Sequence, residues 1–268
     1  MSILREGMVG AEVHELQRLL IAAGFNAPDT CIYGSDTAAA VRAAQRRFGL
    51  VVDGIAGPKT LGALLAGIRN ARHLTDADLQ AAAEKLNVPL AAIRAVNEVE
   101  SKGNGFLADG RPVILFERHV MYDQLKKAGK DADALARQFP NVVNKEPGGY
   151  AGKAGEYMRL AQASQIDEVC ALSSASWGLF QIMGYHARRL DYHDVHEFVA
   201  AMRTSEAAQL DAFVRFIAAD PTLQKALAGG KWAAFALGYN GKNYKANLYD
   251  VKLERAFDRY QAEEAVAT

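Results

Sequence analysis

The sequence predicts a mainly α-helical protein in two unequal domains. Three observations carry this reading. Apolar residues recur at helical spacing through nearly every stretch, alternating β-patterned runs are scarce, and a turn–helix pattern repeats within roughly the first 70 residues. With 268 residues, 50% hydrophobic and 23% charged, the chain can bury a sizeable core and does not have the composition of a disordered protein.

Val13, Leu16, Gln17, Leu19 and Leu20 make a first amphipathic helix that Gly24 ends. Ile32-Tyr33-Gly34-Ser35-Asp36-Thr37 is a glycine-containing turn with a threonine near a helix start, and Ala38 to Gln45 follow at helical spacing. Asp53-Gly54-Ile55-Ala56-Gly57-Pro58-Lys59-Thr60 leads into Leu61 to Leu65 in the same way. The polar stretch Arg69 to Leu74 then meets Thr75-Asp76-Ala77-Asp78, an N-cap with an acidic residue at the third helical position. This puts the boundary near residues 68–75, with domains at 1–70 and 74–268 and no Pro/Ser-rich tether between them. Beyond Thr75 helices are expected at Asp78 to Leu86, Pro89 to Glu100, Tyr157 to Ala163, Val195 to Met202, Ala207 to Ala219, Leu223 to Leu227, Trp232 to Leu237 and Val251 to Tyr260. Val113-Ile114-Leu115-Phe116 is the best strand, with a small β-hairpin expected there.

Charge narrows the function. Lys plus Arg and Asp plus Glu are 31 each, so the net charge of zero argues against nucleic acid as a partner. The N-terminus has no basic stretch followed by an apolar run, and no segment approaches the roughly 20 apolar residues of a membrane span. Cys31 and Cys170 are too few for a disulfide scaffold or a thiolate zinc site. The expectation is a soluble protein made in a reducing cytoplasm, without stable membrane insertion.

The Pro89 helix carries the first candidate chemistry. Pro89 suits the first helical position, and Ile93, Val96, Asn97 and Glu100 share one face. Glu98 lies about 200° from Glu100, so the two carboxylates do not share a site. Glu100 ends an apolar stripe and opens into the polar exit Ser101-Lys102-Gly103-Asn104-Gly105. Desolvation there would disfavour its charged form and suit it to general acid work; a solvated C-terminal carboxylate is the alternative. Two further clusters, Ser174-Ala175-Ser176-Trp177-Gly178-Leu179-Phe180-Gln181-Ile182-Met183 and Trp232 to Gly241 with its Tyr239-Asn240-Gly241 end, read alone as core packing, a helix start and an Asn-Gly cap.

Other clusters carry less. Asp191-Tyr192-His193-Asp194-Val195-His196 lacks a His-Glu-x-x-His pattern and reads as a polar turn capping the helix at Val195. Cys170 reads as a small core thiol, with a catalytic thiol as the alternative. Lys252 to Glu264 is amphipathic with both charges on its polar face, which suits a packed terminal helix.

Two resemblances organise these features. Gly10-Ala11-Glu12-Val13 with Leu16-Gln17, Ala40-Val41 with Gln45 and Phe48, and Asp53 to Pro58 with Thr60 resemble the three-helix peptidoglycan-binding domain of cell-wall hydrolases. Tyr33-Gly34-Ser35 stands where such domains often carry an acidic-glycine pair. That resemblance makes Tyr33, Asp36, Thr37, Asp53 and Thr60 the wall-binding candidates. Glu100-Ser101, Gly178-Leu179-Phe180-Gln181-Ile182-Met183 and Tyr239-Asn240-Gly241 together resemble the lysozyme-like peptidoglycan glycosidases. With Ile114-Leu115-Phe116-Glu117-Arg118-His119, the chain is similar to the N-acetylmuramidase domains of modular phage endolysins.

The second resemblance implies Glu100 as general acid. It implies a substrate-binding set of Ser101, Ser176, Gly178, Gln181, Tyr239 and Asn240, with no cofactor and no metal. A second carboxylate, if one is used, would be Glu117 or Asp109; Glu117 could instead pair with Arg118 or His119. The resemblance also implies a monomer acting on peptidoglycan glycan strands, released from the host cytoplasm through a holin-like pore into the periplasm of a Gram-negative host. Hydrolysis and lytic transglycosylation with the same Glu100 both remain open.

Overall fold

A computed structural model describes residues 3–101 and 103–267, so Lys102, in the polar exit after Glu100, lies outside it. The chain divides into two units, Met1–Ala81 and Ala82–Thr268.

In the first unit, helices α1 (Ala11–Ala22), α2 (Ser35–Phe48) and α3 (Pro58–Ala66) close over Val13, Leu16, Leu20, Val41, Ala44, Leu61 and Leu64. The turns between them leave backbone groups that no helix pairs, and one glutamine per turn satisfies several of them. Gln17, on the buried face of α1, donates to Ile32 O (2.9 Å) and Thr37 Oγ1 (2.8 Å) and accepts from the amides of Thr30 and Cys31 (both 3.0 Å). Gln45 repeats the arrangement from α2. It donates to Asp53 Oδ1 (2.7 Å), Ile55 O (3.1 Å) and Thr60 Oγ1 (3.3 Å), and accepts from the amides of Asp53 (3.1 Å) and Gly54 (2.9 Å).

The repeat seen in the sequence is therefore a repeated clasp of helix amide, turn and next-helix threonine. It corrects the assignment of three wall-binding candidates. Tyr33 and Thr37 are fully buried and Thr60 nearly so, with the Tyr33 hydroxyl donating to Gly54 O at 2.7 Å. These side chains hold turns and cannot touch a glycan strand without opening the core. Asp53 is committed to Gln45 and to the amide of Ile55, while Asp36 is exposed in the first turn of α2.

The division between units falls within α4 (Asp76–Leu86). Its start is the expected cap: Thr75 N and Oγ1 donate to Asp78 Oδ2 at 2.8 and 2.7 Å, and Asp78 N returns a bond to Thr75 Oγ1. Helix α5 (Leu90–Glu100) starts one residue later than expected, because Pro89 keeps an extended ψ of 141° and serves as the N-cap. Along α5 runs α14 (Tyr249–Ala267), with Ala256 and Tyr260 packed on Ala91 and Ala95. The small side chains let the two backbones approach. Glu98 bonds to Arg259 and to the Tyr260 hydroxyl, on the side away from Glu100.

Just before strand β1 (Ile114–Phe116) the chain makes a small hairpin turn, with Phe106 bridged to Pro112, Leu107 N donating to Arg111 O at 2.7 Å and Val113 N to Gly105 O at 2.9 Å; the strand itself pairs further along the chain. It pairs antiparallel with β2 (Ala175–Trp177), Leu115 opposite Ser176, and β2 pairs with β3 (Ile182–Met183), Ser176 opposite Met183. What drives the long-range pairing is burial: Ile114, Phe116, Ala175, Trp177 and Ile182 form one covered face. The other face, bearing Leu115, Ser176 and Met183, is more open at its edges.

Around the sheet stand α6 (Arg118–Lys127), α7 (Ala132–Gln138), α8 (Gly155–Ile166) and α9 (Glu168–Ser173), followed by α10 (Val195–Met202), α11 (Glu206–Ala218), α12 (Pro221–Ala228) and α13 (Trp232–Asn240). Side chains of Asp131, Asp167, Asp194, Ser205 and Asp220 cap five of these helices. The His193-Asp194 cluster thus belongs to a helix start, with Asp194 accepting from Glu197 N at 2.9 Å.

The clasp yields a first prediction. Gln45→Leu keeps the side-chain volume but strands the Asp53 and Gly54 amides, at a cost of about 3 kcal/mol. Hydrogen exchange over residues 53–60 of the full chain is expected to accelerate on the order of a hundredfold; unchanged protection there would refute the clasp.

Candidate active site

Glu100 is the last residue of α5, half-buried, where the buried stripe of that helix reaches its end. Its Oε1 accepts from Asn240 Nδ2 at 2.8 Å. The helix then stops: Ser101 is extended (φ −78°, ψ 115°) and half-buried, with its amide on Asn97 O at 3.2 Å. Asn240 comes from the C-terminal end of α13, where Gly241 (φ 75°) turns the chain away.

Tyr239 is held by rings and by one hydrogen bond. Phe213 and Phe216 meet its ring edge-on at 5.6 and 5.8 Å, and Phe235 stacks at 5.8 Å. The hydroxyl donates to Phe180 O at 2.8 Å. Burial, and then the negative charge of Glu100, hold this phenol well above its ordinary pKa, so it acts only as a neutral donor. The same two causes, in the same order, raise the Tyr249 phenol. Tyr239 and Asn240 thus link Glu100 to the turn that carries Phe180.

That turn runs from β2 to β3. Gln181 has a left-handed backbone (φ 52°); its Oε1 accepts from Ser176 Oγ at 2.8 Å, and its Nε2 donates to Gly178 O at 2.8 Å and Val113 O at 3.4 Å. Ser176, Gly178 and Gln181 are therefore joined by hydrogen bonds within one turn. Gly178 (φ 72°) has a second reason to be glycine, since a Cβ there would stand 2.5 Å from Gln209 Cδ.

Gln209 and Glu206 are the residues that sequence reasoning passed over. Both lie at the start of α11, fully buried or nearly so. Glu206 Oε1 accepts from Gly105 N at 2.9 Å. Gln209 Nε2 donates to Met202 O (2.9 Å) and Gly105 O (3.3 Å), while its Oε1 accepts from Leu179 N at 2.7 Å. Together they tie the loop after Glu100 to the β2–β3 turn. Their signal was present: Glu206 and Gln209 fall on the stripe of Leu210, Phe213 and Ile217, where a polar residue must find a buried partner.

The two second-carboxylate candidates stand apart. Asp109 is exposed in a tight turn, bonded to Arg111 through Nε (3.0 Å), a terminal guanidinium nitrogen (2.6 Å) and the backbone amide (3.0 Å). The Arg111 guanidinium holds its carboxyl below the usual range. Glu117 follows β1 and donates its amide to Ser174 O at 2.9 Å, so the strand pleat places its side chain on the face of Leu115 and Ser176. Its oxygens accept from the Tyr150 hydroxyl at 2.9 and 3.1 Å. His119 Nδ1 is 3.3 Å away without hydrogen-bond geometry, and Arg118 instead donates to the carbonyls of Glu146 (2.8 Å) and Pro147 (2.9 Å).

A family model described as N-acetylmuramidase matches residues 89–261, and one for a peptidoglycan binding domain matches residues 9–64. The crystal structure of the Burkholderia AP3 phage endolysin is similar at 61% identity and a TM-score of 0.93, over 98% of this chain and 100% of that one. The N-acetylmuramoyl-L-alanine amidase CwlL of Bacillus licheniformis is 46% identical over 71 residues, 24% of this chain and 19% of the relative. The match thus spans about a fifth of the length of that curated relative.

The packing at Gly178 gives a second prediction. Gly178→Ala sets a Cβ against Gln209 and strains a left-handed residue, costing about 1–3 kcal/mol. The near-UV thermal transition reported by buried Trp177 is expected to fall by several degrees (~2–4 °C per kcal/mol); an unchanged midpoint would show that Gln209 moves aside freely.

Proposed function

The chain belongs to the N-acetylmuramidase family, and on that premise we propose that it is a phage endolysin that hydrolyses the β-1,4 bond between N-acetylmuramic acid and N-acetylglucosamine. Residues 1–70 dock on peptidoglycan and residues 74–268 cut it, the tether raising local substrate concentration without new contacts at the site. The observation that carries the reading is Glu100: a half-buried carboxyl at a helix end, oriented by Asn240 at 2.8 Å beside the raised phenols of Tyr239 and Tyr249.

Glu100 donates its proton to the leaving glycosidic oxygen as positive charge grows on the muramic acid ring. The Asn240 amide holds one carboxyl oxygen and so fixes which oxygen faces the substrate. Ser101, Ser176, Gly178, Gln181 and Tyr239 shape the adjoining groove. Asp109 is engaged by Arg111 and Glu117 by Tyr150, which favours a mechanism with one catalytic carboxyl. Transfer to the muramic acid 6-hydroxyl in place of water is the second reading, because the same glutamate and the same Gly-Leu-x-Gln turn serve both.

Among the described residues no helix is long and apolar enough to cross a membrane. The likeness to a phage endolysin and the peptidoglycan-binding match support action on the wall; we propose in addition a monomer made in the host cytoplasm that passes a holin-like pore and reaches the wall from the periplasm.

Mass spectrometry of fragments released from purified peptidoglycan tests the reaction. Wild type is expected to release glycan with reducing-end muramic acid, and Glu100→Gln to lose at least about a thousandfold in rate. Ends lighter by one water, with 1,6-anhydro-muramic acid, would establish the transglycosylase. Undiminished release by Glu100→Gln would refute both.

The thiol alternative has its own test. Burial, and then the Asp167 side chain, push the Cys170 thiol up to about 12, so at pH 8 only about one molecule in ten thousand carries the thiolate. Cys170 is expected to resist iodoacetamide at pH 8, to react faster as pH rises, and to become alkylated on unfolding. Wall-degrading activity is expected to survive alkylation of the native protein; rapid loss on modification of Cys170 would return a thiol mechanism to consideration.

A further inference from the structure

Tyr150 stands in Gly148-Gly149-Tyr150-Ala151-Gly152, where three glycines take left-handed angles of 104°, 73° and 71°. The residue is 49% exposed, yet the backbone around it is fixed from beneath. Glu156, fully buried, accepts from the amides of Ala151 (2.6 Å), Gly152 (2.8 Å) and Phe116 (3.2 Å). Arg159, buried beside it, donates to Glu156 (2.7 Å) and to the carbonyls of Phe116 (2.7 Å), Asn141 (3.0 Å) and Gly148 (3.3 Å). The Arg159 guanidinium also backs the Tyr150 ring at 5.9 Å. Taking two charges out of water is a weak way to stabilise a fold, so the pair is better understood by what it holds in place. It holds one aromatic ring out into solvent, hydroxyl on Glu117.

The position of that ring is informative. Direct contacts run from Glu100 through Asn240 and Tyr239 to Phe180, from the same turn through Gln181 to Ser176, and from Ser176 to Leu115 O at 3.4 Å. Glu117 lies two residues beyond Leu115 on the same open face, about 7 Å along the strand. A continuous set of contacts thus joins the open face that carries Glu117 and Tyr150 to the general acid.

We propose that Tyr150 and Glu117 form a saccharide-binding subsite: the exposed ring stacks on the C–H face of a pyranose and the Glu117 carboxylate accepts hydrogen bonds from its hydroxyl or acetamido N–H groups. An aromatic platform beside one fixed polar group is the economical way to hold a ring that is apolar on its faces and polar at its edge. This rests on the glycan substrate proposed above. It gives Glu117 a binding role one sugar or more from the bond that Glu100 cleaves.

Binding is measured with the full chain carrying Glu100→Gln, titrated calorimetrically with a soluble tetrasaccharide of alternating N-acetylglucosamine and N-acetylmuramic acid. Adding Tyr150→Ala is expected to weaken the Kd about tenfold, or about 1.4 kcal/mol, whereas Tyr150→Phe keeps the ring and stays within about threefold. With Glu100 intact, Tyr150→Ala is expected to raise KM and not to lower kcat in proportion, with unchanged circular dichroism. Equal affinities for the parent, Tyr150→Phe and Tyr150→Ala would overturn the subsite. So would a Glu117→Gln enzyme as dead as Glu100→Gln, since Glu117 would then be a second catalytic carboxylate. Failure of wild type to release any glycan fragment would sink the glycosidase reading instead, and the calorimetric comparison would still report on the subsite.

Discussion

Buried loop backbone has polar groups that neither helix nor sheet satisfies, and each unmet group costs on the order of 1–3 kcal/mol. Among the described residues, the buried side chains of Gln17, Gln45, Glu156, Arg159, Glu206 and Gln209 answer that constraint. A glutamine suits the task because its amide donates and accepts at once. Gln45 does this for the turn at Asp53 and Gln209 for the meeting of Gly105 with Leu179. A carboxylate serves where only amides need partners, as with Glu206 on Gly105. The loops around Glu100 and the β2–β3 turn keep their shape because these side chains hold them.

Glu156 shows the electrostatic side of the same constraint. Burial alone would raise its carboxyl, but the Gly152 amide, Arg159 and the Phe116 and Ala151 amides together bring it below the usual range. An ionised group in the interior is tolerable here because both its oxygens are occupied and its partner Arg159 reaches four acceptors. The local result is a rigid rim on the open side of the sheet, next to the end of β1.

Periodicity made most helices legible, since an apolar stripe at helical spacing has few other uses: α1, α2, α5, α10 and α11 stand close to where the pattern puts them. The opposed placement of Glu98 and Glu100 was likewise readable from 100° per residue, and the structure gives them different partners. Pairing of β1 with residues 175–177 was not readable, because nothing local in Ala175-Ser176-Trp177 distinguishes a strand from a small-residue turn. Helices α6, α7 and α9 escaped because their stripes are short and charged residues interrupt them. In the site, motif residues could be named but not their partners: Gln209 lies 104 residues from Gly105. Tyr33, Thr37 and Thr60 were misassigned because a turn-holding residue and a ligand-binding residue leave the same mark on a lone sequence.

The bond between Asn240 and Glu100 spans 140 residues, and Tyr260 reaches Glu98 across 162. During synthesis at roughly 5–20 residues per second, the acid therefore exists for roughly 7–28 s before the amide that orients it has been made. Over the same interval α5 lacks the helix that covers its alanine face. A growing chain thus carries Glu100 without the amide that orients it, and the assembled site arrives late, as a property of chain length and of slow, non-local closure.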